Sequence, residues 1–204
     1  MTAELNKLIK LKKEKIFNMK NQSTIFQNFN KKITKNLNLK ILKKRDINDV
    51  YIKALNNESI VGMTQAIHKT WTRKNIEEFI DLNNNSSNML LIGVFLKEKN
   101  IHLGNVRLLN ICRVNKRAEI SMLFFRKEYW NKGFATEALR EVINYSFKEM
   151  GLRRICADYF ENNFASKKIF EKLCFKVEGI YKEHFYSEGK FVNSIRVALM
   201  KEMI

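Results

Sequence analysis

The stretch Trp130-Asn131-Lys132-Gly133-Phe134-Ala135-Thr136 is where residue types and spacing first point to chemistry in this chain. It lies between an alternating apolar run and the most regular helical pattern of the sequence, so it reads as a strand-to-helix turn. A helix start leaves about four backbone N–H groups without partners, and the helix dipole adds partial positive charge there. A phosphate or diphosphate suits such a place. Gly133 and Ala135 are small enough to let the anion approach the backbone, and Lys132 adds a mobile cation. A lone glycine before a helix is a weak signal, because most such turns bind nothing.

The other reactive side chains are less informative. Cys112, Cys156 and Cys174 are odd in number and far apart, which fits neither a disulfide framework nor metal ligation. They are expected as buried or half-buried thiols in a reducing cytoplasm, and no metal is expected. His102 falls in a hairpin strand and reads as structural, whereas His68 and His184 are candidates to face an acceptor cleft.

The elements that would position these residues follow from periodicity. Leu37–Leu42 alternates and reads as a first strand. Asp46 is a plausible cap for a helix through Val50, Tyr51 and Leu55, and a second helix is expected from about Thr72 to Leu82. Met89–Leu96 and His102–Ile111 form a hairpin around Lys97-Glu98-Lys99-Asn100. Ala118–Phe125 alternates again, with Ile120, Met122 and Phe124 on one face and Glu119, Ser121, Leu123 and Phe125 on the other. The strongest helix runs from Gly133 to Met150 and stops at Gly151. A strand at Arg154–Phe160, a helix around Ala165–Leu173, and strands at Phe175–Tyr181 and Phe191–Met200 complete one α/β domain with a mixed sheet.

Composition bounds the rest. Fifteen Phe, six Tyr and two Trp in 204 residues supply a real core, which excludes global disorder. No run approaches eighteen uncharged apolar residues, and no secretory h-region opens the chain. The net charge of +17 is uneven: residues 1–45 hold twelve Lys and Arg45 against Glu4 and Glu14, and so carry +11 of it. Residues 1–35 read as a basic, Asn/Lys-rich extension, partly helical or loose, with Met19 as an alternative start. Its expected state is solvated or self-packed, with binding of nucleic acid or another polyanion as the alternative.

Three motifs then combine: Ala118-Glu-Ile-Ser-Met-Leu-Phe-Phe, Tyr129-Trp-Asn-Lys-Gly-Phe-Ala-Thr-Glu-Ala-Leu, and Asn163-Phe-Ala-Ser-Lys-Lys-Ile-Phe-Glu-Lys-Leu-Cys-Phe. Together they resemble the successive motifs of the GNAT acetyltransferases, in particular the RimJ/RimL-like branch. The resemblance covers about Leu37 to Met203 and implies a domain over 36–204. The implied fold is a twisted mixed α/β (α+β) sheet whose two central parallel strands splay apart to admit the pantetheine arm of acetyl-CoA, the co-substrate. By that resemblance Asn131, Lys132, Gly133, Phe134, Ala135 and Thr136 cradle the CoA pyrophosphate. Leu123, Phe124 and Phe125 pair with the pantetheine amides, and Asn163 contacts the same arm or caps its helix.

The resemblance also distributes catalytic roles. Glu119 matches a catalytic glutamate of many members, the alternative being a surface carboxylate. Asp158 matches a base of some members, the alternative being an ion pair with Arg153 or Arg154. The tyrosine that often serves as acid is Phe170 here, which leaves Ser166 to donate to the leaving sulfur or merely to satisfy its helix. Cys174 stands where the family has glycine. The expected reaction is direct acetyl transfer to a primary amine. A nucleotide-linked amino sugar or other small amine is the first acceptor, implied by the likeness of Tyr51–Asn57, His102–Leu108 and Asn110–Glu119 to members associated with surface-polysaccharide sugars. A protein N-terminus is the second. Arg107, Arg113, Lys116 and Arg117 near the cleft suit a sugar diphosphate, an acidic peptide or plain solvent. A nonenzymatic acyl-CoA or nucleic-acid-binding module is the reading of another class, and a homodimer on the final strands is one oligomeric option.

Overall fold

A computed structural model describes residues 29, 31–187 and 189–203. Expectations for residues 1–28 therefore lie outside the described residues. The chain divides after Asn30, and the unit from Lys31 onward holds the elements described here. Eight strands form one sheet: β1 Lys32–Ile33, β2 Leu37–Ile41, β3 Leu90–Leu96, β4 His102–Cys112, β5 Arg117–Phe124, β6 Arg154–Phe160, β7 Lys176–Ser187 and β8 Lys190–Met200. Their spatial order is β1-β2-β3-β4-β5-β6-β8-β7. All neighbours are antiparallel except β5 and β6, the parallel pair joined through the long helix. The mixed sheet expected from the sequence is present, with β1 as an added edge strand inside the segment read as a loose extension.

Five α-helices cover the faces: α1 Asp49–Leu55, α2 Glu58–Val61, α3 Arg73–Asn84, α4 Phe134–Lys148 and α5 Phe164–Lys172. Asn48, not Asp46, caps α1, accepting from the Tyr51 N–H at 3.0 Å. Asp46 instead ends a preceding 3₁₀ turn and takes Lys40 and the Lys43 N–H. Helix α3 begins on a reciprocal pair, the Thr72 hydroxyl accepting from the Asn75 N–H and the Asn75 side chain from the Thr72 N–H. Strand β3 is buried on both sides, because α3 packs on one face and α4 lies on the other. Leu91 and Phe95 join the core under α1–α3 with Tyr51, Ile76, Ile80 and Phe125. Among the described residues no helix is long and apolar enough to cross a membrane.

Two details of the packing carry consequences. Strand β7 runs six residues past Tyr181, because a register shift with Glu183 at φ 50° absorbs the charged stretch on a sheet edge where no burial pattern is required. Helix α5 ends in a Schellman turn: Cys174 N–H donates to Glu171 O, Phe175 N–H donates to Phe170 O, and the Phe170 and Phe175 rings meet at 5.1 Å. Cys174 sits there at φ 64° and is exposed, so the expectation of a half-buried thiol is corrected. An L-residue in that conformation costs about 1 kcal/mol relative to glycine. Cys174→Gly is expected to raise stability by about that much, read as a higher urea midpoint with the slope unchanged.

His102 is buried among Phe95, Tyr51 and Phe125, as the structural reading expected. Both partners of its Nε2 are acceptors, Asn105 Oδ1 at 2.8 Å and Gly104 O at 3.1 Å, so Nε2 carries the proton. Asn105 passes the chain on to the Tyr51 hydroxyl at 2.9 Å. Burial lowers the His102 pKa from 6.5 to about 4. The unfolded histidine takes up its proton near pH 6.5 and the folded one does not, so the unfolded state binds more protons across that window. Stability is therefore expected to fall by up to ~3 kcal/mol between pH 6.5 and 4 from this group. The pH dependence of unfolding should flatten in His102→Leu.

Candidate active site

The site is set by where β5 and β6 stop pairing. Arg117, Ala118 and Glu119 pair with Arg154, Ile155 and Cys156, and the pairing ends there although both strands continue to Phe124 and Phe160. Beyond Glu119 the sheet is open. Successive peptide groups along a strand face opposite neighbours. Phe125 N–H donates to Leu103 O at 3.0 Å, so Leu123 and Phe125 turn their backbone groups to β4. Of the three residues expected to meet a pantetheine arm, Phe124 is the one whose peptide faces the gap, together with Met122. The Phe124 carbonyl takes the Trp130 indole N–H at 2.9 Å, which ties the following loop to the strand end. Gly104 lies opposite Phe124, and a Cβ there would stand 2.4 Å from the Leu123 carbonyl, so the close strand contact at the gap requires glycine.

On the α4–α5 face stands the anion-suited loop. Asn131 and Gly133 both adopt positive φ, 59° and 81°, and so bend the chain into α4. No side chain caps the helix. Its first intrahelical bond is Glu137 N–H to Gly133 O, which leaves the N–H groups of Phe134, Ala135 and Thr136 ahead of it. Lys132 lies over the Tyr129 ring at 5.1 Å. Asn163 caps α5, its Oδ1 accepting from Ser166 N–H at 3.0 Å, which establishes the capping reading. The Ser166 side chain is half-buried. Phe170 is buried and stacked on Tyr159 at 5.9 Å, so the position of the usual acid is core.

On the opposite face, under α1–α3, lie the carboxylates. Glu119 and Asp158 share one guanidinium: Arg196 Nη2 donates to Glu119 Oε1 at 3.1 Å and Nη1 to Asp158 Oδ2 at 2.5 Å. Arg196 stands on β8 beside Asp158 and reaches across β6 to β5, bridging the strands where they part. Its side chain is only 15% exposed. Burial alone would lower its pKa, but the Glu119 hydrogen bond and the Asp158 charge outweigh that and raise it. A bulge in β4 with Asn110 at φ 51° brings the Asn110 amide onto Glu119 Oε2 at 3.1 Å. Both Glu119 oxygens are thus engaged, whereas the buried Asp158 Oδ1 has no hydrogen-bond partner among the described residues. Arg153 and Arg154 pair instead with Glu202 and Glu178. Arg196 was missed in the sequence, because its significance depends on a register between distant strands.

The remaining candidates separate. His184 shares the carboxylate face and meets Ser194 Oγ at 2.8 Å. His68 lines a separate groove with Glu58 and Lys69. Arg107 is held by Asn83 and the Phe79 ring. Arg113, Lys116 and Arg117 lie at the β4–β5 turn, where β5 and β6 are still paired, and not at the open end. Their placement near a cleft is corrected, because the strands open only in the direction away from that turn. Among the described residues no group of three or more His, Cys, Asp or Glu is placed to hold a metal.

A mixed sheet with one splayed parallel pair, an uncapped helix start on one face and joined carboxylates on the other defines a transferase fold of the acyl-CoA type. Residues 36–176 match the acetyltransferase (GNAT) domain, and the chain belongs to that family. It is 33% identical over 87 residues to the uncharacterized N-acetyltransferase YoaA of Bacillus subtilis, a match over 43% of this chain and 49% of that protein. It is 28% identical over 148 residues to the putative ribosomal N-acetyltransferase YdaF of the same organism, over 72% and 74% of the two chains. The match thus spans about half the length of the first of these relatives. The fold superposes with a TM-score of 0.74 on spermidine N-acetyltransferase from Vibrio cholerae solved with CoA and spermine, at 22% identity over 83% of this chain and 98% of that one.

Breaking the bridge leaves two carboxylates facing each other in a half-buried place. Arg196→Met is expected to cost about 3 kcal/mol of stability. Arg196→Lys should recover only part of this in thermal melts, since one ammonium replaces a two-pronged donor.

Proposed function

We propose that this protein is a cytoplasmic, acetyl-CoA-dependent N-acetyltransferase that passes the acetyl group through the gap between β5 and β6 to a primary amine. The observation that carries the reading is the gap itself. It joins the face with the uncapped start of α4 to the face with Glu119 and Asp158.

In this reading the N–H groups of Phe134, Ala135 and Thr136, with Lys132, hold the diphosphate of the donor. The peptide edge at Met122 and Phe124 lines the gap and positions the thioester, and positioning alone supplies much of the acceleration. The amine approaches from the carboxylate face. Arriving as ammonium, it first gives a proton to the carboxylate face and attacks the thioester carbonyl as the neutral amine. It then loses its second proton to water, and the C–S bond breaks to release CoA thiolate. Asp158 is favoured over Glu119 as the proton acceptor, because its Oδ1 is the carboxylate oxygen without a partner. Glu119 and Arg196 then position it. Ser166 lies on the donor's face and is the hydroxyl available to the departing sulfur.

Two carboxylates and one guanidinium leave the acceptor face of the gap with net negative charge, which suits an amine arriving as ammonium. With Arg113, Lys116 and Arg117 at the closed end, the support for a sugar diphosphate weakens. The neighbour named for spermidine brings polyamines into consideration, and the relative named as a putative ribosomal N-acetyltransferase keeps a protein amine in view.

CoA-thiol release from acetyl-CoA against polyamines, N-terminal peptides and nucleotide amino sugars tests the reading. Turnover on one class is expected, with kcat lowered about 10²–10³-fold in Asp158→Asn and less in Glu119→Gln. Gly133→Val, which cannot hold φ 81° without strain, should raise KM for acetyl-CoA. Donor binding with no turnover on any amine would favour the nonenzymatic acyl-CoA module instead.

A further inference from the structure

A groove of about 520 Å³ runs from the start of α4 along one stripe of the helix. Its helical lining falls at positions 133, 136, 137, 140, 141 and 144, three or four residues apart. At 1.5 Å per residue that stripe is roughly 16 Å long. Four cations line it, Lys35, Lys132, Arg140 and Lys172, against the carboxylates of Glu137 and Glu141. All four cations are exposed, and none forms a salt bridge among the described residues.

One of the two carboxylates is already taken. Glu137 Oε1 accepts from the Thr34 hydroxyl and from the Asn36 N–H at 2.8 Å, and Oε2 accepts from the Asn36 amide at 2.8 Å. These donors belong to the tight turn between β1 and β2, whose loop residues are Lys35 and Asn36. Lys35 is therefore fixed between two residues bonded to the first turn of α4. Lys32 fastens the same segment to the far end of that helix through Glu149.

A diphosphate on the helix start uses the free N–H groups and Lys132. Lys35, Arg140 and Lys172 stand beside the same groove without a salt bridge, in excess over the carboxylates of Glu137 and Glu141, and a second anion on the same ligand would balance them. We propose that the β1–β2 turn is a working part of the donor site: Lys35, with Arg140 and Lys172, binds the 3′-phosphate of the CoA nucleotide, and Thr34 and Asn36 position it by locking Glu137. This rests on reading the α4 start as the donor's diphosphate site. Thr34 and Lys35 precede the residues matched to the family domain, so the segment read as a mere extension contributes to recognition.

The test compares acetyl-CoA with acetyl-3′-dephospho-CoA on the full chain and on Lys35→Ala, Lys132→Ala and Lys99→Ala, measuring KM, kcat and Kd. Lys35→Ala is expected to raise KM and Kd for acetyl-CoA about tenfold. Its kcat and its affinity for the dephospho donor should stay as in the parent, so the preference for the 3′-phosphate collapses. Thr34→Val, which removes one donor to Glu137, should shrink that preference part-way. Lys99→Ala removes the same charge in the β3–β4 turn, and an equal loss there would overturn the contact in favour of general charge. If Lys132→Ala weakens both donors while Lys35→Ala discriminates neither, the diphosphate reading stands and this inference falls. If Lys132→Ala changes nothing, the donor-site reading itself fails and takes the inference with it.

Discussion

Strands β5 and β6 share backbone hydrogen bonds only as far as Glu119 and Cys156. Past that point each strand carries a row of polar peptide groups with no strand to meet them. An unpaired buried backbone group costs about 1–3 kcal/mol, so a fold keeps such an opening only where its surroundings hold it apart and something else uses it. Here the surroundings are identifiable. Gly104 draws β4 close against the end of β5, the Trp130 indole takes the Phe124 carbonyl, and Arg196 bridges Glu119 and Asp158 at the vertex. The opening is a fixed gap between two strands that are each well paired on their other side.

Because the gap pierces the sheet, the two faces can take different jobs. Alternation places Ala118, Ile120, Met122 and Phe124 toward α4, and Glu119, Leu123 and Phe125 toward α1–α3. Cations and free helix N–H groups gather on the first face, and carboxylates joined by one arginine gather on the second. In the proposed function this arrangement would keep an anionic donor and a cationic acceptor apart until they meet at the gap. The net charge of +17, +11 of it in residues 1–45, favours encounter with anions. It needs the carboxylates of Glu119 and Asp158 to reverse it locally.

The core accepts local cost around this arrangement. Cys174 holds a left-handed turn without glycine so that Phe175 can return against Phe170. His102 keeps a bare Nδ1 inside a wall of rings so that Asn105 and Tyr51 can be bonded beneath Phe125. His102 is buried beside Phe125, and Cys174 is exposed at the turn that follows α5.

Much of this was legible in the chain before any fold was known. Alternation marked the strands, and β6 was bounded at Arg154 and Phe160 as found. The Gly133 turn marked a helix start, and three spaced motifs resembled one family. These are local properties: periodicity, backbone freedom at glycine and the order of motifs are written in neighbouring residues. What stayed hidden was every relation between residues far apart in sequence. Arg196 lies 38 residues from Asp158 and 77 from Glu119, and Thr34 lies 103 from Glu137. The charges of Arg113, Lys116 and Arg117 pointed to an anion site until the direction of strand opening put them at its closed end. Strand register and the side on which two strands diverge depend on the packing of the whole sheet. Only the folded chain could decide which carboxylates share an arginine and which lysines share a groove.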